Sequence, residues 1–442
     1  MKGGEIMKYR WSDFTVRYIL PNGKILVKNF FTRSVVLLGE NALKKLDRWL
    51  ENQQVPEPEL VRTLCGKNEL LVPDLKDEFQ DYRDTFLDTR NNQARLFTLH
   101  FLPTMNCQLN CSYCFEKGSR QKMKMSEGVL NQSIDWLEKY LTANPEVSSF
   151  RCALFGGEPL LAQSLIKRAL PRIKSLSENA GKKYWTEITT NGEFFDEDIA
   201  GVLKQNNLKR VQITLDGPKR LHDRRRLGKD KHPTFDKIIA NVKMLLDGEY
   251  IPQVSLRISL DEETADLVPE LIQDLGQLGY GDRIHLSLGL IVPSMDNETK
   301  VITEKIIAEK AVEAWRTAQK VGFSIPDEFL VGPWCVAIAK HSVVIQPNGG
   351  LQKCFCTVGR ELFDFGKVWN TPTSYTKDAR FEDFYRTEKC VSEKCPYLPV
   401  CGGGCIHDSI VKNGENGFHD RFCQKELIST LNRGLLFLKY TR

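Results

Sequence analysis

From residue 96 to residue 295 short apolar runs and longer helical stretches alternate, and this rhythm restricts the fold more than any other feature of the chain. Residues 96–102, 150–155, 185–190, 211–215, 254–260 and 284–290 read as strands. Helices are predicted near 161–179, 196–206, 234–247 and 263–278, and another near 299–320 closes the region. Strands alternating with helices at this spacing lie parallel, because each connection crosses the sheet and returns right-handed. Six βα units are too few for a closed eight-stranded barrel. The expected fold class is α/β, a partial (β/α)6 TIM-like barrel over 96–325.

The flanks have a different texture. Residues 1–95 predict a small α+β module, in which Phe14, Val16, Tyr18 and Leu20 alternate up to Pro21-Asn22-Gly23 and Ile25 and Val27 continue after it, a hairpin signal. Helices follow at 40–50, after a break at Val55-Pro56-Glu57-Pro58 up to about Leu64, and at 74–89. Residues 326–442 carry little periodic sequence between a hairpin at 343–351 and a last helix at 425–438, so this loop-rich domain needs staples.

Cysteine is the obvious staple. Of thirteen, three lie between 107 and 114 and eight between 335 and 423. Residues 1–17 have no signal-peptide core, and no run reaches the ~18–20 apolar residues of a membrane span. The chain is therefore expected to be cytoplasmic and free of membrane, where clustered cysteines mean metal or catalysis rather than disulfides. A net charge of +5 with both signs interspersed gives no reason to expect nucleic acid. The basic run from Lys219 to Arg226 reads either as a solvated face or as an anion-binding arm.

Cys107-x3-Cys111-x2-Cys114 lies in the loop leaving the C-terminal end of the first barrel strand, where α/β folds place their chemistry. A structural zinc wants four ligands. Three thiolates with an open corner suit a cubane iron–sulfur cluster better, with a zinc knuckle as the alternative. Later strands end in Gly156-Gly157-Glu158-Pro159, Thr190-Asn191-Gly192 and Leu215-Asp216-Gly217.

As an ordered set, with Tyr113 inside the triplet, these motifs resemble those of the radical S-adenosylmethionine (SAM) enzymes over roughly 96–295. The resemblance implies that Cys107, Cys111 and Cys114 hold a 4Fe–4S cluster whose fourth iron is chelated by the amino and carboxylate groups of SAM. An electron passed through it would cleave SAM to a 5′-deoxyadenosyl radical. In the Gly-Gly-Glu-Pro turn, ending at Pro159, Gly156 and Gly157 would let the backbone approach the methionine moiety. Glu158 and nearby carbonyls would receive its ammonium group. Asn191 and Thr214 would add contacts, and Arg226 and Arg257 are candidates for its carboxylate.

Cys335-x13-Gly349-x4-Cys354, Cys395-x5-Cys401-x3-Cys405 and the late Cys423 resemble the SPASM domain, which holds two auxiliary 4Fe–4S clusters. Cys390-x4-Cys395 departs from the family's shorter spacing, and a fourth cysteine for the first cluster is not evident. Carried over by position, the first cluster would take Cys335, Cys354 and Cys405, with His341 or an open site. The second would take Cys390, Cys395, Cys401 and Cys423. Cys356 is a spare thiol, an alternative ligand or a hydrogen donor; a zinc ribbon is the plainer reading of the whole group.

The resemblance implies a maturase that abstracts hydrogen from a ribosomally made precursor peptide to form a thioether or carbon–carbon crosslink. Residues 1–95 would position the peptide's leader, and a flavodoxin or ferredoxin would supply electrons. An anaerobic sulfatase-maturing, formylglycine-forming enzyme and a peptide epimerase are alternatives. Sulfatase-maturing members carry an Asp where this chain has Phe355. Outside catalysis stands a metal-stabilised peptide-binding protein.

Overall fold

The computed structural model describes residues 8–52, 58–66, 68–92, 95–119, 122–291, 295, 304–331, 335–372, 378–381 and 387–441. In the N-terminal module β1 (Tyr9–Trp11) pairs with β5 (Leu71–Pro73), and β2 (Thr15–Ile19), β3 (Ile25–Asn29) and β4 (Val35–Leu38) form an antiparallel sheet. The Asn22-Gly23 turn is the predicted one, with Gly23 at φ 76°, a conformation that glycine adopts without strain. Helices Glu40–Asn52, Pro58–Cys65 and Glu78–Asn92 complete the module. The predicted break at 55–57 lies outside the described residues, as does the start of the helix expected from 299.

The barrel strands β6 (Leu96–Phe101), β7 (Ser149–Leu154), β8 (Lys183–Thr190), β9 (Leu208–Leu215), β10 (Val254–Leu260) and β11 (Ile284–Leu290) lie side by side in chain order, all parallel. Their alternation sorts the faces. On β10, Val254, Leu256, Ile258 and Leu260 enter the core beneath the covering helices, so Ser255, Arg257 and Ser259 face the barrel interior. The interdigitated outer core runs through every strand from β6 to β11, which fixes their C-terminal ends as one face.

The sheet does not stop at the end of the barrel segment. β12 (Ser342–Ile345) runs parallel to β6, from Ser342 opposite Thr98 to Ile345 opposite Phe101. β13 (Gly350–Gln352) and β14 (Gly366–Lys367) extend the sheet to nine strands. The hairpin expected at 343–351 therefore forms as part of the barrel sheet. The run Val343-Val344-Ile345 is fully buried, as suits a strand covered on both faces.

The N-terminal module is not a separate body either. Phe14, Phe30 and Tyr82 pack against Tyr397, Leu398, Val400 and Ile428, and the Tyr18 and Tyr397 hydroxyls lie 3.2 Å apart. The basic run folds as the helix Lys219–Arg225, and Arg220 pairs with Glu270, Arg224 with Glu263, and Arg225 with Asp261 and Glu263. No described helix is long and apolar enough to cross a membrane.

Candidate functional site

The triplet loop leaves β6 at the C-terminal face. Cys107, Leu109 and Cys111 pack with Tyr113 and Cys114, which brings the three thiols into one group. The loop is clamped from outside: Asn110 N donates to Leu227 O (3.2 Å) and Lys229 N to Gln108 O (2.8 Å), while the Gln108 amide donates to Glu193 (2.6 Å) beyond Asn191-Gly192.

Gly156 and Gly157 face this loop directly. A Cβ at Gly156 would stand 2.3 Å from Thr104 O, and one at Gly157 2.3 Å from Asn106 O, so the space they leave is filled by backbone leading into Cys107. Gly157 N donates to Thr104 O (3.2 Å) and Glu158 N to Asn106 O (2.7 Å). The glycines thus serve chain-to-chain approach, a role the sequence reading had given to the methionine moiety. Glu158 is wholly buried, and its carboxylate accepts from Leu160 N (2.9 Å), Thr190 Oγ1 (2.7 Å) and Asn191 N (2.8 Å). Burial pushes its carboxyl up to about 7 against the pull of these three donors. Its first duty is to tie the Gly-Gly-Glu-Pro turn, with Pro159 heading a short 3₁₀ turn, to the end of β8.

A polar knot joins the triplet to the end of β9. Asp216 is fully buried and accepts a hydrogen bond from the Tyr113 hydroxyl, to which Arg226 Nη1 also donates (2.6 Å). Arg225 lies over the Tyr113 ring, 4.9 Å from its centroid. Burial alone would raise the Asp216 carboxyl, but Arg226 and Tyr113 hold it below the usual carboxylate range. His222 braces the knot: Asp216 N donates to its Nδ1 (3.3 Å), and its Nε2 faces Thr234 Oγ1 (3.2 Å), which donates to Arg226 O. Asn191 Nδ2, Asp216 Oδ1 and Arg226 Nε are buried and lack a partner. Orphaned donors and an acceptor beside three thiols fit a zwitterionic ligand there. Thr214 is half-buried beside them, and Arg257 Nη2 donates to Leu290 O (2.8 Å).

Cys354, Cys356 and Ile406 pack with Cys335, and Cys405 interacts electrostatically with Cys354, Cys356 and Cys335. The Cys356 thiol and N–H donate to Cys354, drawing the latter thiol down, while Cys356 itself is driven up. His341 is elsewhere. It precedes β12 at the N-terminal end of the sheet, with Nδ1 2.5 Å from the Tyr140 hydroxyl and Nε2 3.2 Å from Glu146. Of the residues offered for a fourth place in this group, Cys356 lies beside Cys354, and His341 lies away from it.

The remaining four C-terminal cysteines also lie together. Cys390, Cys395, Cys401 and Cys423 line one cavity with Tyr397, Arg421 and Lys425. Burial, then Cys390 and the other two cysteines, push the Cys401 thiol up to about 12. Arg421 Nη1 reaches Cys390 Sγ at 3.5 Å while its fork holds Glu393 at 2.8 Å. Among the described residues no three His, Cys, Asp or Glu side chains converge closely enough to hold a single ion. A cubane carries its irons at separate corners, so its thiolates need not meet at one point.

Three rings connect the triplet to the first group. Phe115 stacks on Phe155 at 6.5 Å, and Phe155 meets Phe355 at 5.1 Å, with His100 5.4 Å from Phe355. Sequence reading named Phe355 only for the acid it replaces. It also gave no role to Asp216 or Arg225, although their place beside the Leu-Asp-Gly strand end was a usable signal.

Residues 101–275 match the family model described as the radical SAM superfamily. The chain is 30% identical over 150 residues to a cysteine-type anaerobic sulfatase-maturating enzyme of Clostridium novyi, covering 32% of this chain and 37% of that protein. It is 26% identical over 197 residues to a GTP 3′,8-cyclase of Clostridium perfringens, covering 43% and 54%. The matches thus span between about a third and a half of those relatives. Among solved structures, anSMEcpe with bound AdoMet superposes with TM-score 0.58 at 17% identity, covering 77% of this chain and 92% of that one. Streptococcus suis SuiB bound to S-adenosylmethionine superposes with TM-score 0.55 at 14% identity, covering 95% and 99%. These likenesses concern the fold. The partial barrel and the triplet at its C-terminal face agree with the match of residues 101–275 to the radical SAM superfamily.

Proposed function

We propose that this protein is a radical SAM maturase of the SPASM type that crosslinks a ribosomally made peptide. The observation that carries this reading is the gathering of eight C-terminal cysteines into two four-thiol groups, one of them joined by aromatic rings to the triplet loop. When bound, the triplet cluster and SAM supply a carbon radical able to take hydrogen from an unactivated C–H bond. Cys107, Cys111 and Cys114 hold that cluster. Asn191, Asp216 and Arg226 hold SAM's amino-acid portion, with Thr214 as a further contact. Carbonyls of the Gly-Gly-Glu-Pro turn are better placed to accept the ammonium than Glu158, whose oxygens already accept three bonds. Cys335, Cys354, Cys356 and Cys405 hold the first auxiliary cluster, and Cys390, Cys395, Cys401 and Cys423 the second.

A first group filled by four thiols favours electron acceptance over direct substrate ligation. It also removes Cys356 as hydrogen donor, which counts against epimerisation. A peptide substrate is supported by fold likeness to SuiB, solved bound to its precursor peptide SuiA with TM-score 0.51, over 94% of this chain including the N-terminal module. The sulfatase-maturing reading keeps the support of the curated relatives, but Phe355 leaves it without an acid at that place. A flavodoxin- or ferredoxin-type reductant and a cytoplasmic setting belong to the proposal.

Anaerobic reconstitution followed by SAM and dithionite tests it. Iron equal to three cubane clusters, 5′-deoxyadenosine release abolished by Cys107→Ala, and a neighbouring short reading frame's product losing two hydrogen atoms are expected. Iron for one cluster only would reject the SPASM assignment. Zinc in place of iron, with no 5′-deoxyadenosine, would leave only a peptide-binding protein.

A further inference from the structure

Arg226 and Arg257 enter the barrel mouth by different routes. Arg226 donates to Tyr113, inside the triplet loop, and shares Asp216 with Arg225 at 3.9 and 3.7 Å. Arg257 stands in the middle of β10, in register with Thr214 of β9 and Ser287 of β11. Its guanidinium lies across Gly289: a Cβ there would fall 2.4 Å from Nε and 2.7 Å from Nη2. Gly289 is thus the residue that lets this side chain reach the edge strand, where Nη2 finds Leu290 O at 2.8 Å.

No described carboxylate lies within ion-pair distance of Arg257, whereas Arg225 has three and Arg226 has Asp216. The charges that act on it come from two sides, Tyr113, Asp216 and Arg226 toward the triplet and Cys356 toward the first cysteine group. A largely desolvated guanidinium with one neutral partner is costly unless an anion completes it. The planar fork is the side chain best suited to a carboxylate. SAM brings one carboxylate, and Arg226, bonded to the triplet loop itself, is the nearer claimant.

We propose that Arg257 anchors the substrate, taking a carboxylate carried by the peptide, either an acidic side chain or a free C terminus, between the triplet loop and the first cysteine group. This rests on the peptide reading above and sharpens it: the residue that reacts lies near an acid in the substrate. Arg257 is a specificity determinant for the substrate, and SAM does not depend on it.

Two measurements on the full-length, reconstituted protein decide the matter. In the first, SAM is titrated while the triplet cluster's electron paramagnetic resonance signal is followed. Arg226→Gln should weaken SAM by roughly tenfold or more, and Arg257→Gln should stay within about twofold of the parent. Equal losses would hand Arg257 to SAM and overturn the proposal. In the second, a random dodecapeptide mixture, made with free and with amidated C termini, is passed over the immobilised SAM-loaded protein and the retained peptides are sequenced. Enrichment of Asp or Glu in both mixtures identifies an acidic side chain; retention confined to the free-terminus mixture identifies the C terminus. Either preference should fall roughly 10- to 100-fold in Arg257→Gln and return in part in Arg257→Lys, which also guards against a folding defect. Retention with neither preference, or a preference that survives Arg257→Gln, overturns the proposal alone. If no peptide is retained by any variant, the peptide reading itself fails.

Discussion

Replacing Gly157 with alanine adds one carbon where the chain has no room for it. The new Cβ would lie 2.3 Å from the Asn106 carbonyl oxygen and 2.4 Å from that of Met105, both backbone atoms. Ordinary contact begins near 3.4 Å, so the two segments must separate by about 1 Å. Cys107 follows Asn106 in the chain, and the Glu158 N to Asn106 O bond of 2.7 Å has no slack to absorb the movement. Overpacking of this kind costs about 1–3 kcal/mol. A displacement of about 1 Å in a reacting constellation costs on the order of 100-fold in rate. Reconstituted Gly157→Ala should therefore release 5′-deoxyadenosine roughly 100-fold more slowly, with the iron of the two C-terminal groups retained. Release within twofold of the parent would refute the argument that these glycines set the triplet loop's position. Gly201→Ala is the control, since nothing lies within 4 Å of its Cβ in the helix Glu197–Gln205. It should gain about 0.5–1 kcal/mol in urea unfolding.

Other perturbations reach different parts of the molecule. Phe30→Ala empties a fully buried ring position 4.9 Å from Tyr397. It should cost about 3–5 kcal/mol, and iron should be lost first from the Cys390 group; loss from the triplet instead would contradict the packing. Glu158→Gln turns an amide N–H₂ toward at least one of three donors, so thermal stability should drop by about 1–3 kcal/mol; an unchanged midpoint would refute the buttress role. His100, His222 and His341 are pushed down, chiefly by burial, to about 3, 3 and 4. An unfolded chain protonates them near pH 6.5, so their share of stability is complete above that pH. It is lost as pH falls toward 4, at about 1.4 kcal/mol per pH unit for each histidine. His222→Gln should flatten the urea midpoint's pH dependence by one proton, and a curve already flat from pH 7 to 4.5 would dismiss the idea.

The barrel was legible because its strands and helices carry local periodicity, and Asn22-Gly23 announced its turn in the same way. What escaped depended on contacts between distant segments. Val343-Val344-Ile345 reads equally well as half of an isolated hairpin or as a barrel strand, and only β6, far back in the chain, distinguishes them. His341 and Cys356 are both close in sequence to Cys354, so spacing could not rank them; the pairing of β12 with β6 turns His341 toward Tyr140, while the turn after β13 brings Cys356 to Cys354. The charge run at 219–226 leaves a solvated face and an anion-binding arm both open in sequence because its acids, Asp261, Glu263 and Glu270, follow one strand later.

The pairing of β12 with β6 also orders events during synthesis. β6 is the first barrel strand to be made, and one of its edges stays open until residues near 345 have left the ribosome. Until then Leu96–Phe101 presents unpaired backbone groups flanked by apolar side chains, the kind of edge on which chains join one another. A chain cut after residue 325 would keep that edge for good and should aggregate rather than yield an isolated barrel. The cysteine-rich C-terminal quarter of the protein thus acts as its own barrel's edge guard.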